Sequence, residues 1–427
     1  MKKTLVALAA LAATGAYAQV TIDGFFNGSV DMFSISGRAA GNASETRVSD
    51  NTSRINFRVN EDMGRGLSAV GLFELRFPID QNSRINALCG TVQTQAAIAS
   101  GLAATGATTA QTASTCAVPN PVNSGNAHVG LSSNTLGAIR LGRQDIHYIE
   151  NGSFNPVGLP TIHNAAGVLH TAAAGATVGR ATRSANLIWW TSPVVNGLQG
   201  TVGYSTNSYA ASGQQDTEND LASNQRQGST TYLRLGYNVG KLSLALSNIN
   251  EKSDWIGTAP TATGTSATSA AGIQTTLGAQ ADRKGTTITA KYDLGVAKLG
   301  VAMADNESTA YTGGTMGNVS KRKSTQFGAQ LPINAMSAVA LTYTKVGNVT
   351  ANGAETAASG ATHTTLAYNY DLSKRTQLVV AATQLSNDSS ASHGLFYNAD
   401  NVIGSIGSGA NAGEKHKVNS IGLRHTF

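Results

Sequence analysis

From residue 20 to residue 427, segments with a period of two recur along the chain. "VTIDGFFNGSVDM" places Val20, Ile22, Gly24, Phe26, Val30 and Met32 on one phase, with Thr21, Asp23, Asn27, Ser29 and Asp31 on the other; Phe25 is out of step. "RINFRVN" sets Ile55, Phe57 and Val59 against Arg54, Asn56, Arg58 and Asn60. "TYLRLGY" sets Leu233, Leu235 and Tyr237 against Tyr232, Arg234 and Gly236, and "TTLAYNY" sets Leu366, Tyr368 and Tyr370 against Ala367 and Asn369. The closing "VNSIGLRHTF" keeps Ile421, Leu423, His425 and Phe427 in phase to the end. This is the pattern of a strand with one apolar face. Most chains fray at their ends, and this one carries a strand pattern to its final residue.

Charged residues make up 13% of the chain, against about 25% in soluble domains. Beyond the N-terminus no segment approaches the roughly 20 apolar residues of a spanning helix. A chain too poor in charge for a soluble surface, with its apolar positions hidden in alternation, fits a transmembrane β-barrel. In such a barrel each strand is apolar toward lipid and polar toward the lumen. Glycine is abundant at 47 residues and proline scarce at 8.

"MKK", an apolar run and the small-x-small "AYA" (Ala16, Tyr17, Ala18) read as a secretory signal peptide, residues 1–18, cut before Gln19. The alternative, a membrane anchor, is disfavoured because the run is too short. Loss of Lys2 and Lys3 takes the formal charge from +6 to +4. That is mildly basic, with no basic tract to suggest nucleic acid. Cys89 and Cys116 lie outside any CxxC motif. In an exported protein they are expected to pair, stabilising the fold by about 3–4 kcal/mol on a chain-entropy argument; two free thiols are the alternative.

Short turns are expected at 62–66, 133–137, 193–197, 238–240, 293–295, 331–334 and 371–375, where Gly, Asn, Asp or Pro cluster. Longer Ser-, Thr-, Ala-, Gly- and Asn-rich stretches lie near 36–52, 78–125, 144–183, 206–228, 251–284, 307–323, 347–361 and 387–414. Together these connections predict an all-β, antiparallel barrel of sixteen strands filling 19–427 as one domain, with short periplasmic turns and long external loops. The even count brings both termini to one side, so the first and last strands can pair and close the sheet. An unpaired edge is not tolerated in hydrocarbon.

"GRGLSA" (Gly64 to Ala69) matches a dinucleotide-binding pattern, but "LSAVGLFELRF" alternates as a strand where that mechanism needs a helix. The chain has no nucleophile elbow, no HExxH and no P-loop, and its histidines are scattered. No catalytic group, metal site or cofactor is expected.

"SRINFRVNEDMGRGLSAVGLFEL" resembles the second and third strands of the Gram-negative general diffusion porins. "AHVGLSSNTLGAIRLGRQ" resembles their fourth and fifth strands, and "GLRHTF" their terminal strand. The resemblance spans the mature chain. It implies a homotrimer in the outer membrane, in contact with its lipid and lipopolysaccharide, that passes small hydrophilic solutes and ions. It also implies that Phe427 is the signal read by the barrel assembly machinery, with His425 replacing the usual aromatic third from the end.

The same resemblance implies that the third loop, about Gln144 to Arg183, folds into the lumen and narrows it. Arg54, Arg58, Arg76 and Arg140 fall on the polar phase, partly offset by Glu74, and the loop itself offers only Asp145 and Glu150 as acids. These arginines either cluster at the constriction or merely solubilise the inner wall; a cluster is favoured, and with it a weak anion preference. The acidic loop segment of many relatives is missing. In "NLIWWTSP", Trp189 points inward, either packing under the inserted loop, which is favoured, or forming a stacking platform for a ring-bearing solute. The rival functions are a solute-selective channel, such as one for sugars, and a surface adhesin-like β protein. The second would show internal repeats, and none is found.

Overall fold

The computed structural model describes residues 19–37, 41–77, 79–80, 125–147, 154, 159–173, 176–178, 183–206, 229–252, 280–312, 315–395 and 412–427. Cys89, Cys116, Glu150 and the signal segment 1–18 lie outside them.

Sixteen strands form one closed antiparallel barrel. They are β1 (Gln19–Ser36), β2 (Ala43–Asp50 and Arg54–Gly64), β3 (Leu67–Arg76), β4 (Ala127–Ser133), β5 (Gly137–Asp145) and β6 (Arg183–Thr191). There follow β7 (Leu198–Ser205), β8 (Ser229–Val239), β9 (Leu242–Lys252), β10 (Gln280–Asp293) and β11 (Lys298–Thr312). The last are β12 (Thr315–Asn334), β13 (Ser337–Val346), β14 (Ala361–Asp371), β15 (Thr376–Asn387) and β16 (Lys415–Thr426). Each strand pairs with its sequence neighbours, and β16 closes on β1 from Phe25↔Thr426 to Ser36↔Lys415. The backbone N–H of Phe427 then donates to Gly24 O at 3.2 Å, and its ring meets Phe26 at 5.5 Å. The strand pattern runs to the last residue because that residue still helps to close the barrel.

The lipid-facing phase is the expected one: Val20, Ile22, Phe26, Val30 and Met32 on β1, and Leu233, Leu235 and Tyr237 on β8, are all exposed on the outer wall. The tight turns rest on residues that accept positive φ. At Asn196–Gly197 the φ angles are 49° and 83°, and a Cβ on Gly197 would sit 2.1 Å from Asn238 O. Only glycine meets both demands there.

Two stretches expected as loops are mostly strand. β1 reaches Ser36, β2 resumes at Ala43, and β11 and β12 extend through most of 307–323. Both stretches are mostly polar, so their alternation carries little hydropathy signal, and the antiparallel ladder continues through them. In the second, Glu307 lies 3.6 Å from Lys284 and 3.0 Å from Lys321.

β2 is broken at residues 51–53. The Asp50 carboxylate accepts the backbone N–H groups of Thr52 at 2.9 Å and Ser53 at 3.2 Å, and Thr52 adopts φ 66°. The break turns Asn51 inward, where its Oδ1 accepts the N–H of Thr161 in the third loop at 2.8 Å.

The apolar core lies inside the barrel, between the third loop and the wall. On one side Ile162, Ala165 and Val168 pack with Phe33, Ile35, Val346, Leu385 and Val418. On the other, Ile146, Ala172 and Val178 pack with Leu187, Trp189, Tyr232 and Ile249. Each buried Val, Leu, Ile or Phe among them contributes about 1.5–3 kcal/mol by leaving water.

Candidate pore constriction

The inward faces of β1, β2, β3, β5 and β16 carry the charges of the candidate constriction. Glu74 on β3 is its centre. Its carboxylate accepts from Arg54 Nη1 at 3.0 Å, from Arg76 Nε in a very short contact, and from Asn126 Nδ2 at 3.2 Å. Arg76 reaches on to Asp145 Oδ2 at 3.8 Å, and Asn126 ties Asp145 down through its amide at 3.0 Å and its carbonyl at 2.8 Å. Glu74 and Arg76 are almost wholly buried. Arg76 is therefore a buttress for the site, and solutes do not meet it directly.

Replacing Glu74 with Gln leaves Arg54 without its carboxylate and Arg76 with only the longer contact to Asp145 at 3.8 Å. Breaking a buried pair of this kind costs about 3–5 kcal/mol. The E74Q barrel is expected to lose its folded form at a lower temperature in a heated-gel series, and to prefer anions more strongly than the unmutated channel. Unchanged thermal stability together with unchanged selectivity would contradict both.

Arg54 is also held by Thr52, whose carbonyl accepts its Nε at 3.0 Å and whose Oγ1 accepts its Nη2 at 2.8 Å. Its guanidinium lies 4.8 Å from the Phe25 ring centroid, and that of Arg424 on β16 lies 4.4 Å from the same centroid. One aromatic ring thus braces two cations that would otherwise repel. This explains why Phe25 breaks the alternation of β1: it faces the lumen as a support for arginines. Arg58 pairs with Asp23, which also accepts from Asn56 Nδ2 at 2.6 Å; the Arg58 side chain is 51% exposed to the channel. Arg140 faces the same recess beside Arg58, His128, Gln144 and Trp189. Among the described residues neither Arg140 nor Arg424 has a carboxylate partner. Guanidinium groups therefore outnumber carboxylates across the zone.

Arg54, Arg58, Glu74, Arg76 and Arg140 stand on inward faces, and Asp145, expected in the third loop, ends β5 beside Arg76. Trp189 is buried, edge-on to His128 at 5.1 Å and packed under the third loop. The sequence reading did not select Arg424, Phe25, Asp23 or Asn126. Arg424 was legible, because it alternates with Ile421 and Leu423, but its closeness to Arg54 depends on barrel closure.

The third loop is pinned across the lumen. His147 Nδ1 meets Ser247 Oγ at 2.7 Å, and His163 bridges Thr383 and Ser420 at 2.7 Å each. His170 Nε2 meets Thr287 Oγ1 at 3.1 Å, while its Nδ1 donates to Ala166 O at 3.0 Å. Burial keeps all three imidazoles neutral by pushing their pKa values down, that of His170 to about 4. The Phe154 N–H donates to Gln326 Oε1 at 2.8 Å, and its ring lies over Gly300 and Gly328, which face each other on β11 and β12.

The family model described as Gram-negative porin matches residues 4–390. The chain is 26% identical, over 433 residues and the full length of both, to outer membrane porin protein 32 of Delftia acidovorans. Among solved structures, an anion-selective porin from Comamonas acidovorans superposes with a TM-score of 0.65 at 23% identity, over 96% of this chain and 100% of the other. OmpT of Vibrio cholerae, in its trimer form, superposes with a TM-score of 0.60 at 12% identity, over 96% and 99%. With a family match over most of its length and a closed sixteen-stranded barrel, the chain belongs to the Gram-negative porin family of the outer membrane.

Proposed function

We propose that this porin works as a homotrimer and that each barrel is a passive, water-filled path for small hydrophilic solutes and ions, with a weak to moderate preference for anions. The observation that carries this reading is the surplus of guanidinium groups at the constriction, with Arg140 and Arg424 unpaired among the described residues. A fixed charge in a narrow channel acts on every passing ion and concentrates its counter-ions. The description of the Comamonas acidovorans structure as anion-selective supports the preference, and that of the OmpT structure as a trimer form supports the assembly. Trp189 offers little to a ring-bearing solute, since it is 6% exposed. No reaction is assigned to the protein.

The test is the reversal potential across a potassium chloride gradient. Chloride is expected to be the more permeant ion, and the preference should shrink as salt rises, because the Debye length falls from about 10 Å at 0.1 M to about 3 Å at 1 M. Cation selectivity in the unmutated channel would overturn the assignment.

We also propose that Phe427 serves both closure and assembly. Its deletion removes the bond to Gly24 O and the ring that packs on Phe26. Export should continue while trimer yield in the outer membrane falls severalfold. Normal trimer yield from the deletion strain would refute this.

A further inference from the structure

Strand β3 is apolar on both faces. Ala69, Gly71 and Phe73 take the lipid phase, while Val70 and Leu72 take the lumen phase. Leu72 pairs directly with Arg58 on β2 and with His128 on β4, and Val70 pairs with Asn60 and Gly130 on the same two strands. Residues directly opposite in a ladder share a face, so both apolar side chains stand inside the barrel among polar ones. Other apolar residues of the lumen wall, such as Leu187, Ile249 and Leu385, are buried beneath the third loop. Val70 and Leu72 belong to neither of those packed groups and stay half-buried.

The two side chains form the floor of a recess of about 470 Å³. It lies between the Glu74 group and the short turn at 62–66, because Val70 and Leu72 precede Glu74 on a strand that starts at Leu67. Arg58 and Arg140 overlook the floor, and His128 and Trp189 border it. Gly130 decides where Arg140 lies. A Cβ on Gly130 would sit 2.8 Å from Arg140 Cγ, so the arginine stem crosses bare backbone and leans toward β3. Among the described residues no carboxylate lines the recess. An apolar floor and two guanidinium groups thus share one stretch of the channel wall, open to whatever passes.

We infer that this recess is a subsite for monocarboxylates with an apolar body, that is, aromatic and alicyclic acids. The carboxylate is held by Arg58 and Arg140, whose planar forks match it. The ring lies on Val70 and Leu72 and releases water from both surfaces. Chloride and small hydrophilic acids meet the same arginines but gain nothing from the floor. An apolar neutral solute meets the floor but pays to strip water from the guanidiniums without pairing them. The recess is large enough for one such acid together with water, which suits passage better than tight capture. The inference rests on the proposed anion preference for the sign of the solute, and on the apolar floor for its class.

The test is block of single-channel potassium chloride current by benzoate, cyclohexanecarboxylate, acetate and the uncharged benzamide, each titrated from the same side. In the unmutated porin, benzoate and cyclohexanecarboxylate are expected to halve the current at concentrations roughly tenfold below acetate, the gain from covering part of a ring. Benzamide should block no better than acetate. The double variant Val70→Thr, Leu72→Asn should bring benzoate to the level of acetate. Arg140→Gln should weaken all three acids together. Block is scored as benzoate relative to acetate in one channel, so a change in conductance does not enter; if the double variant gives no channels, the near-isosteric Val70→Thr replaces it and should lower the same ratio. Equal block by benzoate and acetate in the unmutated porin would overturn the inference, as would a benzoate advantage that survives loss of the floor, or block by benzamide equal to that by benzoate. The reversal potential in potassium chloride keeps the two readings apart. Anion selectivity without a benzoate advantage refutes the subsite alone. Cation selectivity with a floor-dependent benzoate advantage refutes the ion preference and upholds the subsite.

Discussion

Leucine at Gly328 is expected to narrow the channel. Gly300 and Gly328 face each other on adjacent strands with their missing side chains toward the lumen. The Phe154 ring fills the bare patch that they leave; a Cβ at Gly328 would lie 2.2 Å from that ring and one at Gly300 2.5 Å. An aromatic ring over paired strand glycines supplies the packing that the glycines lack. A leucine there evicts Phe154, breaks its backbone bond to Gln326 and pushes the third loop toward the axis. The histidine contacts to Ser247, Thr287, Thr383 and Ser420 keep the rest of the loop inside the barrel, so it cannot swing clear. Single-channel conductance should fall about twofold or more, because the narrowest section dominates passage. Gly71→Ala, on the outward phase of β3 with only ordinary contact to Val59, serves as the control and should conduct normally. Normal conductance in the Gly328→Leu channel would show that Phe154 does not position the loop.

The second large effect is on ion choice. Serine at Arg58, Arg140 and Arg424 together removes the guanidiniums that are exposed or unpaired, and it leaves the buried Arg54–Glu74–Arg76 group intact. Asp23 then faces the lumen without its partner cation. The local balance changes sign, and so should the reversal potential in dilute potassium chloride, where the Debye length is about 10 Å and fixed charges are felt across the bore. At 1 M salt the variant and the unmutated channel should converge. Lys241→Ser, at a turn far from the constriction, should leave the potential unchanged. A triple variant that stays anion-selective in dilute salt would mean that other charges govern the choice.

The position of these groups was legible to different degrees. Any strand residue can be assigned to lipid or lumen from its phase alone, which is why the sequence places Arg54, Arg58, Arg76 and Arg140 inside. Phase says nothing about exposure. Arg76 and Arg58 share one phase, yet Arg76 is 4% exposed and lies under Glu74, whereas Arg58 is open to the channel. Phe25 looked like a flaw in the pattern and is the ring that braces Arg54 and Arg424. Further apolar residues on the lumen phase, among them Phe33, Ile35, Leu187, Trp189, Tyr232, Ile249, Leu385 and Val418, trace the footprint of the third loop on the wall. Each breaks the rule of its strand because a buried loop replaces water there.

The sequence by itself determined the barrel. Alternation specifies two faces for every strand, turn residues mark one end, and a sheet with one lipid face must close, because hydrocarbon leaves no partner for an open edge. Only the tertiary structure decided the constriction. Arg424 lies beside Arg54 because the last strand pairs with the first, and Phe154 reaches Gly328 because three histidines carry the loop across the lumen. Those contacts join residues far apart in the chain, and local periodicity reports the face of a residue but never its distant neighbour.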